Sequence, residues 1–427
     1  MLLHEVGWFL KASLSQGVRH KQFVRQQMVQ AELRALMPAL ANKTYFNYGG
    51  QGPLPDPSLE AMVASWRTIQ QLGPFTTAVW PFIEQETARV RQALAALCGV
   101  PSSRLALTEN VTAGCVLPLW GLPWEPGDQL LIGDCEHPGV VAACQELARR
   151  QGLTVAVLPV LTLCRTTSQV DLQAAVLAAL EQALTPRTRL VVLSHLLWNS
   201  GAIMPIAAVA QRLHDHPRQP WLLVDAAQSV GAIPVDDAAS YADIYAFTGH
   251  KWCCGPEGLG GVALSERLLD HGQPTLIGWR SLRHEASAAS SFHRDARRFE
   301  VATSCVPLAS GLRTSLELLS AVGTPAQHLQ TIRAGSARLW QGLQSLPGVR
   351  TVLREPPPAG LVSFTVHDGA GTLRDTAAVV EALGRQGIWI RKLDQPDCLR
   401  ACIHITTTAA EIDDLLAALA GLQQQAI

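Results

Sequence analysis

Between about residues 59 and 265 the chain alternates two textures. Short runs are apolar at nearly every position: "DQLLIGD", "LTVAVLPV", "TRLVVLSHL", "PWLLVDA" and "DIYAFTG". Between them lie stretches with apolar residues at helical spacing, including "GVVAACQELARRQG", "DLQAAVLAALEQAL" and "IAAVAQRLHD". A strand with one wet face alternates apolar and polar positions. One that is apolar throughout is expected in a parallel sheet covered on both faces. Strands separated by helices predict βα units, and so a doubly wound, mainly parallel α/β domain. "GGVALS" reads as a further strand, with an antiparallel sense open to it.

After about residue 266 the pattern changes. "HEASAASSFHRDARRFE" is polar and loop-like, and a long helical region follows over about 306–345. Then come "GLVSFTVHD", the helix "TAAVVEALGRQG", the strands "IWIRKL" and "LRACIHIT", and a last helix "TAAEIDDLLAALAGLQQ". This order predicts a smaller α+β domain. Upstream, "HKQFVRQQMVQAELRALMPAL" is helical in spacing, and "TYFNYGGQGPLP" then breaks the pattern with Gly and Pro. The expected organisation is a helical segment over 1–43 that packs with the small domain, a large domain over 44–265, and the small domain over 266–427.

Composition narrows the function classes. The chain has 427 residues with 34 basic and 35 acidic side chains, a formal net charge of −1. Nothing in that balance attracts nucleic acid or an anionic membrane. No apolar run approaches the roughly 18 residues a membrane helix needs, and "MLLHEVGWFLKAS" is interrupted by Glu5 and Lys11. The expectation is a soluble, cytoplasmic protein. Ten Cys are scattered without a disulfide framework or zinc spacing, so they are expected to be buried small hydrophobes, and no metal site is expected.

In an open parallel sheet, ligands bind beyond the carboxyl ends of the strands. "DQLLIGDCEHPG" ends in His137, "RLVVLSHLLWNSG" near Trp198 and Asn199, "WLLVDAAQSVG" in Asp225 and Gln228, and "IYAFTGHKW" in Thr248, His250 and Lys251. "RLALTENVTAGCVLPL" reads as a strand and then a helix starting near Asn110–Thr112, whose free amides suit a phosphate. Taken singly, a strand-end Asp is ordinarily a helix cap, a lone His structural and a lone Lys solvated. Together they match what pyridoxal phosphate (PLP) requires: a Lys for its aldehyde, a carboxylate for its ring nitrogen, amides and hydroxyls for its phosphate and a flat group for its ring.

"VDAAQSVGAIPVD" and "FTGHKWCCGPEGLGGVAL" resemble the class V aminotransferase group of fold-type I PLP enzymes, which includes cysteine desulfurases, and the resemblance runs from "NYGGQGP" to "LRACIHIT". It implies that Lys251 is the lysine that takes the cofactor, Asp225 the pyridinium partner, Gln228 a donor to the ring hydroxyl and His137 the ring-stacking group. It also implies that Val111 (through its amide), Thr112, Thr248 and His250 hold the phosphate, and that Thr303 in "RFEVATSCV" is a phosphate contact lent by a second subunit. A homodimer with shared sites follows from that. Cys253 and Cys254 fall at positions that are not catalytic in the group.

An amino-acid substrate brings a carboxylate, which the planar fork of Arg binds in two places at once. "IWIRKLDQPDCLRACIH" supplies Arg391 and Arg400, of which Arg400 matches the group's carboxylate-binding Arg. Gly49 and Gly50 either leave room for substrate or mark a tight turn. Cysteine desulfurases carry a long loop between the two arginines, with a nucleophilic Cys. Here eight residues separate them, and Cys398 lies too near the next strand to swing. "NYGGQGPLP", "TENVTAG" and "SHLLWN" resemble instead the L-cysteine/cystine C–S lyases. The expected reaction is β-elimination of cystine or cysteine to pyruvate, ammonia and a persulfide or sulfide, which could feed a sulfur acceptor protein and iron–sulfur cluster assembly. The alternatives are a true cysteine desulfurase giving alanine, and an epimerase or aminotransferase of the same group. The preferred leaving group, the sulfur acceptor and the parts played by Trp198 and Asn199 stay open at this point.

Overall fold

The computed structural model describes residues 30–283 and 291–423. Its strands in chain order are β1 (Thr44–Tyr45), β2 (Leu105–Thr108), β3 (Gln129–Gly133), β4 (Thr154–Leu158), β5 (Thr188–Ser194), β6 (Trp221–Asp225), β7 (Ile244–Thr248), β8 (Gly260–Leu264), β9 (Val349–Thr351), β10 (Leu361–Val366), β11 (Ile388–Trp389), β12 (Arg391–Asp394) and β13 (Asp397–Cys402). Seven of them form one sheet in the order β2-β8-β7-β6-β5-β3-β4. The five central and outer strands β3 to β7 run parallel, while β8 is antiparallel to both β7 and β2.

The apolar runs explain this sheet directly. In β5, Leu190 and Val192 face one core while Val191 and Leu193 face the other. In β7, Ile244 and Ala246 face the first, and Tyr245 and Phe247 the second. Each central strand therefore feeds two cores, and every position must be apolar. β4 departs from that expectation. It is the sheet's edge, and its Val155 and Val157 are 40% and 63% exposed. Its composition matches a central strand, but its place in the strand order leaves one side open.

The smaller sheet, order β12-β13-β10-β9, is antiparallel, with its own core of Phe46, Val362, Phe364, Leu399, Ile412 and Leu415 among others. The expected strand "IWIRKL" divides in two. Ile388–Trp389 pairs in parallel with Thr44–Tyr45, whereas Arg391–Asp394 turns to pair with β13. The expected helical region over 306–345 is also two helices, Pro307–Val322 and Pro325–Gln344. Gly323 takes φ +156°, Thr324 caps the second helix through Gln327 N, and Pro325 occupies its first turn. That is a stop signal followed by a start signal.

The expected N-terminal helical segment lies mostly outside the described residues. From residue 30 onward a short helix is present, and its Arg34 forms a two-armed ion pair with Glu411 at 2.8 and 3.0 Å and donates to Thr406 O. That contact ties residues 30–40 to the start of the last helix, Ala409–Gln423. Among the described residues, no helix is long and apolar enough to cross a membrane.

Candidate active site

The chain passes from β3 outward to β4 and then crosses back to lay β5 on the other side of β3. A crevice opens where the order reverses, at the carboxyl ends of the strands. His137 follows β3, Trp198 and Asn199 follow β5, Asp225 ends β6, and Lys251 lies three residues beyond β7.

Lys251 is held by its backbone. Its carbonyl accepts from Cys254 N at 3.0 Å, and Gly52 lies so close that a Cβ there would stand 2.2 Å from the same carbonyl oxygen. Burial lowers its ammonium to about 8. Asp225 opposes the shift, while Arg400 and Arg391 reinforce it. A lysine in this state gives up its proton far more readily than an exposed one. Asp225 is 5% exposed; its Oδ1 accepts from Ala227 N at 2.9 Å, and among the described residues no donor is bonded to Oδ2.

His137 caps the helix Pro138–Gln151 by accepting from Gly139 N at 3.2 Å through Nδ1, which places its proton on Nε2. Burial depresses its pKa, with Lys251 and Arg391 adding to the effect and Asp225 opposing it. The ring is therefore neutral and flat. A Cβ on Gly139 would lie 3.3 Å from His137 Nδ1 and 3.9 Å from Thr112 Oγ1, so those two side chains flank one helix start.

The helix Val111–Trp120 begins at Asn110, whose Oδ1 accepts from Ala113 N at 2.9 Å. The amides of Val111 and Thr112 are left free at the positive end of the helix dipole. Thr248 Oγ1 and His250 Nδ1 are 2.7 Å apart on the Lys251 loop. Gln228 donates from Nε2 to Gly49 O at 2.9 Å and accepts at Oε1 from Trp252 Nε1 at 2.9 Å.

The arginines form a second centre. Arg391 and Arg400 stand directly opposite each other across β12 and β13. Like charges at opposed positions repel. Arg400 is 1% exposed; its Nη1 donates to Trp198 O at 2.8 Å, whereas its Nε and Nη2 are buried without a partner among the described residues. A buried guanidinium with two unsatisfied arms calls for an anion. Arg391 is more open, and its pKa is lowered by burial and by Arg400.

Gly49 fits against this centre: a Cβ there would lie 2.8 Å from Arg400 Nη2 and 2.9 Å from Gln228 Oε1. Gly50 lies in a turn closed by its amide to Asn47 O at 2.8 Å. One glycine therefore makes space and the other makes a turn.

Thr303 makes no hydrogen bond to the other residues of this set among the described residues. It is exposed, and Trp279 Nε1 donates to its hydroxyl at 3.4 Å. Sequence reasoning left Trp198 undefined. Its indole donates to Cys135 O at 2.8 Å, its ring meets His137 edge-on at 6.3 Å, and its carbonyl holds Arg400. Asn199 donates to Gln395 O at 3.2 Å, tying the crevice to the β12–β13 turn. Cys402 was also missed: it accepts from Gly49 N at 3.3 Å beneath the same loop. Neither Trp198 nor Cys402 carries a local sequence signal, because the contacts join segments about 200 and 350 residues apart.

Nine of the ten cysteines are buried. Cys398 is fully buried in β13 opposite Leu393, and burial pushes its thiol up to about 12. Cys253 is raised to about 12 by burial, and burial raises Cys254 as well. Cys305 is the exposed thiol, close to Thr303 in the chain.

These residues fit PLP. The crevice offers a carboxylate with a free oxygen, an amine with a lowered pKa, a neutral imidazole and an open helix N-terminus. Comparisons with known proteins point the same way. The family model described as Aminotransferase class-V matches residues 79–415. A probable cysteine desulfurase of Pseudomonas aeruginosa is 31% identical over 347 residues, covering 78% of this chain and 81% of its own. Isopenicillin N epimerase of Streptomyces clavuligerus is 29% identical, covering 91% of this chain and 96% of its own. Among solved structures, the cystine C–S lyase C-DES in complex with its reaction product cysteine persulfide is 43% identical with a TM-score of 0.84, covering 90% of this chain and 99% of that one. A lysine-to-alanine C-DES variant, with glycine covalently linked to its PLP cofactor, is also 43% identical, with a TM-score of 0.85 over 91% of this chain and 98% of that one.

Proposed function

The chain belongs to the aminotransferase class-V family and is a PLP-dependent enzyme of its cysteine desulfurase and C–S lyase branch, and from that premise we propose that it is a C–S lyase that cleaves L-cystine, or L-cysteine, by β-elimination. The observation that carries the reading is the Arg391–Arg400 hairpin. It offers two guanidinium groups to an amino-acid substrate and carries no mobile thiol, its one cysteine being the buried Cys398.

When bound, PLP withdraws electrons from the substrate Cα and so weakens its C–H bond. The chain's own residues would do the rest. Val111, Thr112, Thr248 and His250 would hold the phosphate, Asp225 the ring nitrogen, Gln228 the ring oxygen and His137 the ring face. Arg400, with its two idle arms, would bind the α-carboxylate. Arg391, more open, would take the second carboxylate that cystine has and cysteine lacks. Lys251, its ammonium lowered by burial to about 8, would take the Cα proton as general base. The β-sulfur leaves with the C–S electron pair, as a persulfide when the substrate is cystine. That is a better leaving group than a plain thiolate because its conjugate acid is the stronger acid. With one water, cystine is converted to pyruvate, ammonia and cysteine persulfide, and no protein thiol takes part. The persulfide would serve a sulfur acceptor and, through it, iron–sulfur cluster assembly in the cytoplasm.

We read Thr303 as lent to the phosphate of a two-fold partner. Its segment is exposed and anchored by Glu300, which makes a forked pair with Arg91 at 2.8 and 3.0 Å. Phe75, Leu276 and Ile277 are 84%, 56% and 51% exposed, apolar area that suits a dimer.

The test is to supply L-cystine and L-cysteine separately and assay pyruvate and alanine. Pyruvate with faster turnover of cystine, retained in Cys398→Ala and Cys305→Ser, is expected. Alanine with an enzyme-bound persulfide would refute the reading. The epimerase relative makes racemisation the second reading, which chiral analysis of recovered substrate distinguishes.

A further inference from the structure

Trp252, the residue after Lys251, is the largest fully buried side chain among the described residues. Its indole Nε1 donates to Gln228 Oε1 at 2.9 Å. An indole N–H can only donate, so the acceptor end of the carboxamide must face it. That leaves Gln228 Nε2, which spends one hydrogen on Gly49 O at 2.9 Å and keeps the other. Turning the amide over would set its NH2 against the indole N–H and its carbonyl against the carbonyl of Gly49. Both pairs repel, and both would be buried.

The backbone of Trp252 is itself fixed. Trp252 O and His404 Nε2 are 3.2 Å apart. A carbonyl only accepts, so the His404 proton is on Nε2 and Nδ1 is the acceptor. Thr406 Oγ1 stands 2.9 Å from that Nδ1 and 2.7 Å from Tyr48 Oη. The directions then follow: Tyr48 donates to Thr406, Thr406 to His404 and His404 to Trp252. Burial lowers His404 to about 3, so it stays neutral and the order holds across the working pH range. The Tyr48 ring stacks on His404 at 4.4 Å and lies 6.4 Å from Trp252. A Cβ on Gly360 would meet the Trp252 ring at 2.6 Å, so the small-domain backbone closes on the indole face.

We propose that Trp252 is a positioning residue, whose indole N–H sets the orientation of the Gln228 carboxamide so that its free N–H, and not its C=O, is presented to the cofactor. The inference rests on the reading of Gln228 as a cofactor contact. It assigns to Trp252 a task separate from filling space, and makes the Tyr48–Thr406–His404 chain its support.

The test uses the PLP-loaded enzyme and reads the pH dependence of the bound cofactor's absorbance, not turnover. Variants are Gln228→Ala, Trp252→Phe and the double substitution. Losing one hydrogen bond to the cofactor is expected to move the apparent spectral pKa by about 0.5–1 unit. Trp252→Phe should move it in the same direction as Gln228→Ala, and the double variant should match Gln228→Ala alone. A shift in Gln228→Ala with none in Trp252→Phe, or shifts that add, would overturn the role of Trp252 while leaving Gln228 in place. No shift in Gln228→Ala would overturn both. A second measurement leaves residue 252 intact: solvent exchange of its indole proton should be at least tenfold slower in the wild type than in Gln228→Ala. Equal rates would also overturn the proposal.

Discussion

Replacing Arg400 by Met separates what the guanidinium does for substrate from what it does for the fold. The side chain is buried, makes one hydrogen bond to Trp198 O and leaves Nε and Nη2 unpaired. If those two arms hold the substrate carboxylate, the variant loses two hydrogen bonds between charged groups, about 1.5–3 kcal/mol each. At about 1.4 kcal/mol per decade, kcat/KM should fall about 100- to 10,000-fold. Stability should move the other way or not at all. Met fills the aliphatic volume and removes a buried charge that costs several kcal/mol when uncompensated. Against that stands the orphaned Trp198 carbonyl, about 1–3 kcal/mol. The net change in unfolding free energy of the cofactor-free protein should therefore lie between about zero and modest stabilisation. The assays are steady-state kinetics with cystine and urea unfolding of the cofactor-free protein. A change in kcat/KM below about fivefold, or a loss of stability above about 3 kcal/mol, would refute the reasoning by showing that the arginine serves the fold.

Three more outcomes follow from the same geometry. Lys251→Met should abolish turnover, and in cofactor-free protein it should be more stable than wild type near neutral pH. The folded-state pKa of Lys251 is lowered to about 8, so the unfolded chain binds more protons above that value. Wild-type stability should accordingly rise between pH 8 and about 10.5 and close the gap, which pH-dependent melts will show. Gly49→Ala should raise KM about tenfold with little change in kcat, because its Cβ would fall 2.8 Å from Arg400 Nη2; an unchanged KM would dissociate Gly49 from the carboxylate pocket. Cys398→Ala should retain turnover within about twofold, since its thiol is buried and held protonated; loss of activity with normal folding would point to thiol chemistry.

The large sheet was legible because buried parallel strands write their environment into every position, as β5 and β7 do by feeding two cores. The edge exposure of β4 was not, since it depends on strand order and not on composition. The break at Gly323–Thr324–Pro325 carried a local signal that the apolar spacing on either side outweighed. β1 and β11 pair over only two residues each, too few to show a period. In the crevice, Lys251, Asp225 and His137 were legible as strand-end residues. That Arg391 faces Arg400 was not, because one residue of slip in the hairpin register would have sent them to opposite faces.

Residues 44 to 52 belong to neither sheet alone. Thr44–Tyr45 pairs with Ile388–Trp389, Phe46 bonds Trp389 O and Cys402 N, Gly49 O is held by Gln228, and Gly52 N bonds His250 O. This ribbon is a seam sewn to one sheet at its start and to the other at its end, with Gly49, packed on Arg400, midway. Any hinge that parts the two sheets must pull a stitch at Gly49, either its amide from Cys402 or its carbonyl from Gln228. Where the seam gives at the carbonyl, the motion that opens the space beside Arg400 also releases the Gln228 carboxamide.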